Sequence, residues 1–124
     1  MTKKTTILVV DDDGPILLLM RNILREFGFE SLGASNGAEA LEMAREHRPD
    51  LVLLDKHMPQ MGGEEVIRRL RGEAGIGEVP ILILSGEPVE PQELARLGAT
   101  AAILKPFDVT ALIERIRATI GAVA

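Results

Sequence analysis

Six polar residues stand directly after short apolar runs of this chain: Asp11, Asp12, Asp13, Asp55, Ser85 and Lys105. If those runs are parallel strands, their carboxyl ends lie along one edge of a sheet, where open α/β folds bind ligands. Acids gathered there repel one another and require a cation or a bound proton. Oxygen ligands without His or Cys favour Mg²⁺. A nearby hydroxyl and ammonium would then suit the oxygens of a phosphoryl group in transfer.

Each residue also has a simpler interpretation. Asp12 would serve as a helix cap, Ser85 as a turn former, and Lys105 as a surface cation. Asp55 alone is equally well explained as a polar strand terminator. The occurrence of all of them at strand ends favours the chemical interpretation.

The elements that must position these residues are five apolar runs, each of strand length: Ile7 to Val10, Ser31 to Ala34, Leu51 to Leu54, Ile81 to Leu84 and Ala101 to Leu104. Segments with helical spacing separate them, which predicts an α/β fold with a parallel sheet. Right-handed crossovers favour a flavodoxin-like (βα)5 three-layer sandwich with strand order 2-1-3-4-5. The four branched residues before Asp55 predict a central strand that is buried on both faces.

Helical periodicity predicts which faces of the helices are buried. The first helix, from Pro15 to Phe27, would bury a stripe of five residues: Ile16, Met20, Ile23, Leu24 and Phe27. Leu17 and Leu18 fall outside that stripe and form either the flank of the core or an exposed apolar patch beside the acids. In the second helix, from Gly37 to His47 and capped by Asn36, the inward residues would be Ala38, Leu41 and either Ala44 or Met43. In the third, Arg68, Arg69 and Arg71 would face solvent.

Composition narrows the class of protein. A chain of 124 residues is expected to form a single domain, residues 1–124, without a second domain or linker. It has no Cys, which excludes disulfides and thiolate chemistry. A net charge of −5 and the absence of Trp and Tyr argue against a nucleic-acid surface. No run is long enough to span a membrane, and the N-terminus lacks a signal-peptide core, so a cytoplasmic location is expected.

The arrangement resembles the receiver domain of bacterial two-component response regulators over essentially the whole chain. The motifs that carry the resemblance are the acidic pair Asp11-Asp12, Asp55 followed by Met58-Pro59 and Gly62, Ser85, and Lys105-Pro106-Phe107. The resemblance implies a phosphoacceptor signalling domain that is not an enzyme in the usual sense, because it catalyses only its own phosphorylation and dephosphorylation. The implied partners are a sensor histidine kinase or a histidine phosphotransfer protein, and a downstream protein or a second copy of the chain. With no effector domain following, a stand-alone receiver or the N-terminal part of a longer regulator is expected.

The resemblance also implies roles for single residues. Asp55 would accept the phosphoryl group, and Ser85 and Lys105 would bind its oxygens. Asp12 and Asp55 would bind Mg²⁺ directly, Asp11 through water, and the backbone carbonyl of His57 would complete the set. His57 and Glu87 occupy the positions that flank the attacking water, so Glu87→Ala should alter the rate of dephosphorylation. Leu17 and Leu18 lie where partner kinases dock.

One position departs from the family pattern. Ala102 stands where an aromatic switch residue is common, three positions before Lys105. The aromatic side-chain movement that reports phosphorylation therefore cannot occur in its usual form, and the route by which the signal leaves stays open.

Three other functions are compatible with parts of the pattern. A haloacid-dehalogenase-like phosphatase would use Asp11 and Asp13, but it needs a later acidic pair and leaves Asp55 without a role. A flavin-binding module would need phosphate-cradling loops and stacking aromatics rather than clustered acids. A degenerate receiver that only binds proteins is kept open by Ala102.

Overall fold

The structure, a computed structural model, describes residues 4–56, 58 and 62–123, and the predicted roles of His57 lie outside the described residues. Strands and helices alternate within this part of the chain. The strands are β1 (Thr6–Val10), β2 (Glu30–Ala34), β3 (Leu51–Asp55), β4 (Ile81–Ser85) and β5 (Ala101–Leu104). The helices are α1 (Gly14–Glu26), α2 (Gly37–His47), α3 (Gly63–Arg71), α4 (Pro91–Leu97) and α5 (Val109–Val123). All strand pairs are parallel, and the order β2-β1-β3-β4-β5 confirms the flavodoxin-like prediction.

The central strands bury both of their faces because helices cover both sides of the sheet. Along β3, Val52 and Leu54 belong to the core shared with α2, α3 and α4, whereas Leu51 and Leu53 belong to the core shared with α1 and α5. This alternation follows from the two-residue period of a strand. It assigns each face of the sheet its own hydrophobic core.

Helix α1 differs in part from its predicted buried stripe. Met20 and Leu24 are buried, but Ile16 and Phe27 are exposed because they lie at the two ends of the helix, beyond the sheet. Leu17 packs against the core, whereas Leu18 and Leu19 are 60% and 58% exposed. Leu17 therefore lies at the flank of the core, one of the two predicted alternatives, and the exposed apolar patch consists of Leu18 and Leu19.

Helix α2 is capped as predicted, because the side chain of Asn36 accepts the backbone N–H of Glu39 at 2.8 Å. Its buried residues are Gly37, Ala40, Leu41 and Ala44, Met43 is partly buried, and Ala38 is exposed. The prediction for Ala38 was wrong. Helix α2 begins at Gly37, and its first turn presents Ala40, three residues later, to the core rather than Ala38.

Arg71, at the end of α3, does not face solvent as predicted. Arg68 and Arg69 are exposed and pair with Glu65, as expected of a solvated face. Arg71 is half-buried and donates to three carbonyl oxygens: Gly98 at 2.9 Å, Gly77 at 3.0 Å and Val79 at 2.6 Å. Burial lowers the pKa of its guanidinium. This side chain joins α3, the loop before β4 and the end of α4.

Among the described residues, no helix combines the length and the apolar character needed to cross a bilayer.

Candidate functional site

The carboxyl ends of β1 and β3 bring three acids together. Side-chain oxygens of Asp11, Asp12 and Asp55 all lie within 4.8 Å of one another. Asp11 and Asp55 are only 2% and 9% exposed, while Asp12 is open to solvent. The cluster forms because β1 and β3 are neighbours, with Val10 paired to Leu54.

Asp13 takes no part in this cluster and instead orders its surroundings. Its side chain caps α1 by accepting the backbone N–H of Ile16 at 3.1 Å, and its own backbone N–H donates to Asp11 Oδ1 at 2.9 Å. The start of α1 therefore holds the Asp11 carboxylate in place. The carboxylate of Asp13 is engaged at the cap, which disfavours the phosphatase interpretation that pairs Asp11 with Asp13.

Lys105 supplies the positive charge opposite the acids. Its Nζ lies 3.3 Å from Asp55 Oδ1. Its backbone N–H donates to the carbonyl of Ser85 at 2.7 Å, which continues the pairing of β5 with β4 beyond Leu104. The structure thus gathers the side chains of Asp11, Asp12, Asp55 and Lys105, as the strand ends predict.

Ser85 ends β4 at the same edge, but its hydroxyl is bonded elsewhere. Its Oγ donates to the carbonyl of Glu87 at 2.7 Å and accepts the N–H of Glu87 at 3.1 Å. The two bonds form a local turn of the kind that serine favours. This turn agrees with the simpler interpretation of Ser85 as a turn former.

The other predicted positions lie around this edge. The side chain of Glu87 is exposed. Ala102 lies on β5 opposite Ile83 and packs against the core shared with α2, α3 and α4.

The electrostatics of the cluster call for a cation. Burial raises the pKa of the Asp11 carboxyl, and the charges of Asp55 and Asp12 raise it further, against the opposing effects of the Asp13 N–H and Lys105. One lysine therefore does not neutralise the three acids. An oxygen-only donor set with surplus negative charge fits Mg²⁺, and Asp11, Asp12 and Asp55 would hold it.

Replacing Asp11 by asparagine tests this surplus charge. Asparagine keeps an oxygen that can accept the Asp13 N–H but removes one charge, so at pH 7 we expect the free energy of unfolding to rise by about 1 kcal/mol, the size of a like-charge contact near 4 Å in water. Because the folded state raises the pKa of Asp11, the acid of the unaltered chain regains its proton as the pH falls, and the advantage of the variant should disappear. Urea unfolding at several pH values measures both effects, and a variant less stable at pH 7 would contradict the prediction.

Comparison with known proteins gives one consistent result. The family model of the response regulator receiver domain matches residues 7–117. The polar-differentiation response regulator DivK of Brucella anthropi is 32% identical over 118 residues, which cover 94% of this chain and 96% of that protein. The structure of the chemotaxis protein CheY4 of Vibrio cholerae superposes with a TM-score of 0.88 at 32% identity, covering 94% of this chain and 99% of that one. The N-terminal domain of a response regulator receiver protein from Methanoculleus marisnigri matches with a TM-score of 0.75 at 36% identity, covering 90% and 93%. The chain therefore belongs to the response regulator receiver domain family, the phosphoacceptor signalling domains of two-component systems.

Proposed function

We propose that Asp55 is the phosphoacceptor of this chain. A carboxylate oxygen attacks the phosphorus of a phosphohistidine or a small phosphodonor. An O–P bond forms as the N–P bond, or the donor's O–P bond, breaks, and the leaving group departs with the electron pair. The observation that carries the proposal is the position of Asp55 at the end of β3, 3.3 Å from Lys105 and beside Asp11 and Asp12.

The surrounding residues supply what an acyl phosphate needs. Lys105 offsets charge on one phosphoryl oxygen, as a fixed ammonium does in other phosphoryl-transfer sites. Ser85 would bind a second oxygen after its hydroxyl leaves the carbonyl of Glu87. Asp11, Asp12 and Asp55 would hold Mg²⁺, and His57 would add its backbone carbonyl as the resemblance implies. When bound, Mg²⁺ would neutralise the charge that separates an anionic donor from an anionic acceptor.

The apolar patch on α1 is proposed as the contact for the phosphodonor protein. Leu18 and Leu19 are exposed on α1, and a cleft of about 600 Å³ between α1 and α5 reaches Asp11 and Lys105. A helix of a sensor histidine kinase or of a phosphotransfer protein could cover this patch and present its phosphohistidine to Asp55. Exposed apolar patches of this kind commonly mark protein contacts.

The location of the domain and the way it passes on the signal are also part of the proposal. We infer that residues 1–124 act as one receiver domain in the cytoplasm, without contact to nucleic acid or membrane. Phosphorylation would shift an existing equilibrium between two conformations and so change the binding of a downstream protein or of a second copy. With Ala102 in place of an aromatic residue, that shift would proceed without a ring movement on β5.

Incubation with Mg²⁺ and acetyl phosphate, followed by intact-mass measurement, tests the proposal. We expect each chain to take up one phosphoryl group. No group should be taken up when the metal is chelated before acetyl phosphate is added. The phosphatase alternative predicts instead the continuous hydrolysis of a phosphate ester that depends on Asp11. A chain that gains no mass under these conditions would contradict phosphorylation at Asp55.

Glu87 is proposed to set how long the phosphoryl group persists. Its carboxylate is exposed at the same edge, where it can orient the water that attacks the phosphorus. Glu87→Ala should slow phosphate release roughly two- to tenfold, less than the hundredfold expected of a group that itself moves the proton. The bonds from Ser85 to residue 87 involve only the backbone, so phosphorylation itself should persist. A phosphate-release assay decides, with Glu90→Ala as the control, and an unchanged decay rate would rule out this role.

A further inference from the structure

Next to the phosphoacceptor, a row of charged side chains connects the end of β3 to two helices. Lys56 Nζ lies 3.6 Å from Glu93 Oε1 on α4. Arg96, also on α4, lies 3.8 Å from the same Glu93 oxygen and 2.9 Å from Glu64 Oε1 on α3. These four residues alternate in sign and are called the α4 ion-pair chain below.

Packing alone holds α4 only weakly. Among the residues of this helix, Leu97 in the last turn is buried and Leu94 is partly buried, and both pack against the core shared with α2 and α3. Beside α4 lies a cavity of about 220 Å³, whose lining includes Leu54, Lys56, Ile67, Ile83, Glu93 and Leu97. Atoms that face a cavity forgo the dispersion contacts of a packed core. The ion pairs therefore add to the packing of Leu94 and Leu97 in attaching α4.

The far end of α4 is fixed in a different way. Gly98 follows the helix in a left-handed conformation, with φ of 83°, and its carbonyl accepts the Arg71 guanidinium at 2.9 Å. Because one end is anchored by a half-buried arginine and the other by partly exposed ion pairs, the helix has a firm end and a releasable end. Movement would pivot about Gly98.

The backbone links the releasable end to the site. The N–H of Lys56 donates to the carbonyl of Leu84 at 3.1 Å, and Leu84 precedes Ser85. The segment from Ser85 through Glu87 is joined to α4 by the three residues from Pro88 to Glu90. For the Ser85 hydroxyl to donate to a phosphoryl oxygen, it must give up its bond to the carbonyl of Glu87, which removes one of the two bonds that hold the turn of this segment.

We propose that the α4 ion-pair chain is a latch that holds α4 and the Ser85–Glu87 segment in the unphosphorylated position. Phosphorylation of Asp55 works against this latch, so the chain sets how readily the domain switches. The inference rests on the proposed function, since it assigns a regulator to that same site. It also provides a route from Asp55 to α4 that needs no aromatic side chain at residue 102.

Hydrogen exchange of the α4 amides in the full, unphosphorylated chain tests the latch without any phosphodonor. Glu93→Gln removes the central charge, and we expect the amides from Leu94 to Gly98 to exchange about two- to fivefold faster, the range that partly exposed ion pairs support. Glu64→Gln, at the α3 end, should have a smaller effect in the same direction. Glu90→Gln is the matched control, because Glu90 forms no ion pair within the described part of the chain and lies on the same segment.

Salt and phosphorylation rates complete the test. Raising the salt concentration should speed exchange more in the unaltered chain than in Glu93→Gln, because only the Arg96–Glu64 pair is left for salt to screen in the variant. The rate of phosphorylation by acetyl phosphate should rise by the same two- to fivefold in Glu93→Gln. Unchanged α4 exchange in a chain that is phosphorylated normally would overturn the latch alone. Faster exchange without faster phosphorylation would overturn its coupling to the site, and an unaltered chain that takes up no phosphoryl group would instead refute the proposed function.

Discussion

Replacing Asp55 by asparagine should leave a folded chain that takes up essentially no phosphoryl group. The side chains are nearly identical in shape, but the amide lacks the anionic oxygen that attacks phosphorus. Loss of a nucleophile typically lowers a reaction rate by roughly a thousandfold or more. After incubation with acetyl phosphate and Mg²⁺, the intact mass should therefore stay that of the unmodified chain. The unfolding midpoint should be equal or higher, because one charge leaves a crowded cluster.

Asp50→Asn is the control for this experiment. Asp50 lies just before the opposite end of β3, and its carboxylate accepts the backbone N–H of Thr6 at 2.8 Å, a bond that an amide oxygen can replace. This variant should be phosphorylated at the rate of the unaltered chain. A full phosphoryl adduct on Asp55→Asn, located by peptide mapping at another acid, would refute Asp55 as the acceptor.

Replacing Arg71 should produce the largest loss of stability among the substitutions considered. Arg71→Met keeps most of the apolar stem but deprives three carbonyl oxygens, those of Gly77, Val79 and Gly98, of a charged donor. Bonds to charged groups contribute about 1.5–3 kcal/mol each, although water can replace part of them at a half-buried position. We expect the free energy of unfolding to fall by about 2–4 kcal/mol, measured by urea denaturation.

Arg69→Met is the matched control, because Arg69 lies on the same helix but is exposed and bonds only to Glu65 within the described residues. Its unfolding midpoint should stay close to that of the unaltered chain. Equal losses in the two variants would show that Arg71 acts as an ordinary surface arginine, as its sequence context suggests.

The sequence was sufficient to predict the fold and the meeting of Asp11, Asp12, Asp55 and Lys105. Both follow from a general property of parallel sheets, in which consecutive strand ends share one edge. A short apolar run also marks each strand clearly, so little depends on the accuracy of any single boundary.

The interactions of Arg71 could not be predicted in the same way. Arg71 bonds to loop carbonyls up to 27 residues away, and periodicity carries no information about such partners. Arg68 and Arg69 are the same residue type on the same helix, yet their side chains are exposed whereas that of Arg71 is half-buried. Likewise, whether Leu17 or Leu19 is exposed depends on the rotation of α1, which the Asp13 cap sets at its first turn.

The alternation of side chains along β3 has a consequence for how this domain can diversify. Asp55 continues the series of Leu51 and Leu53, which faces α1 and α5, whereas Lys56 continues that of Val52 and Leu54, which faces α3 and α4. In the proposed mechanism, two adjacent residues thus place reception of the signal at Asp55 and its transmission through Lys56 on opposite sides of one sheet. Substitutions on the α1 side can retune the choice of donor while those around α4 retune the response, so that the two specificities can evolve separately.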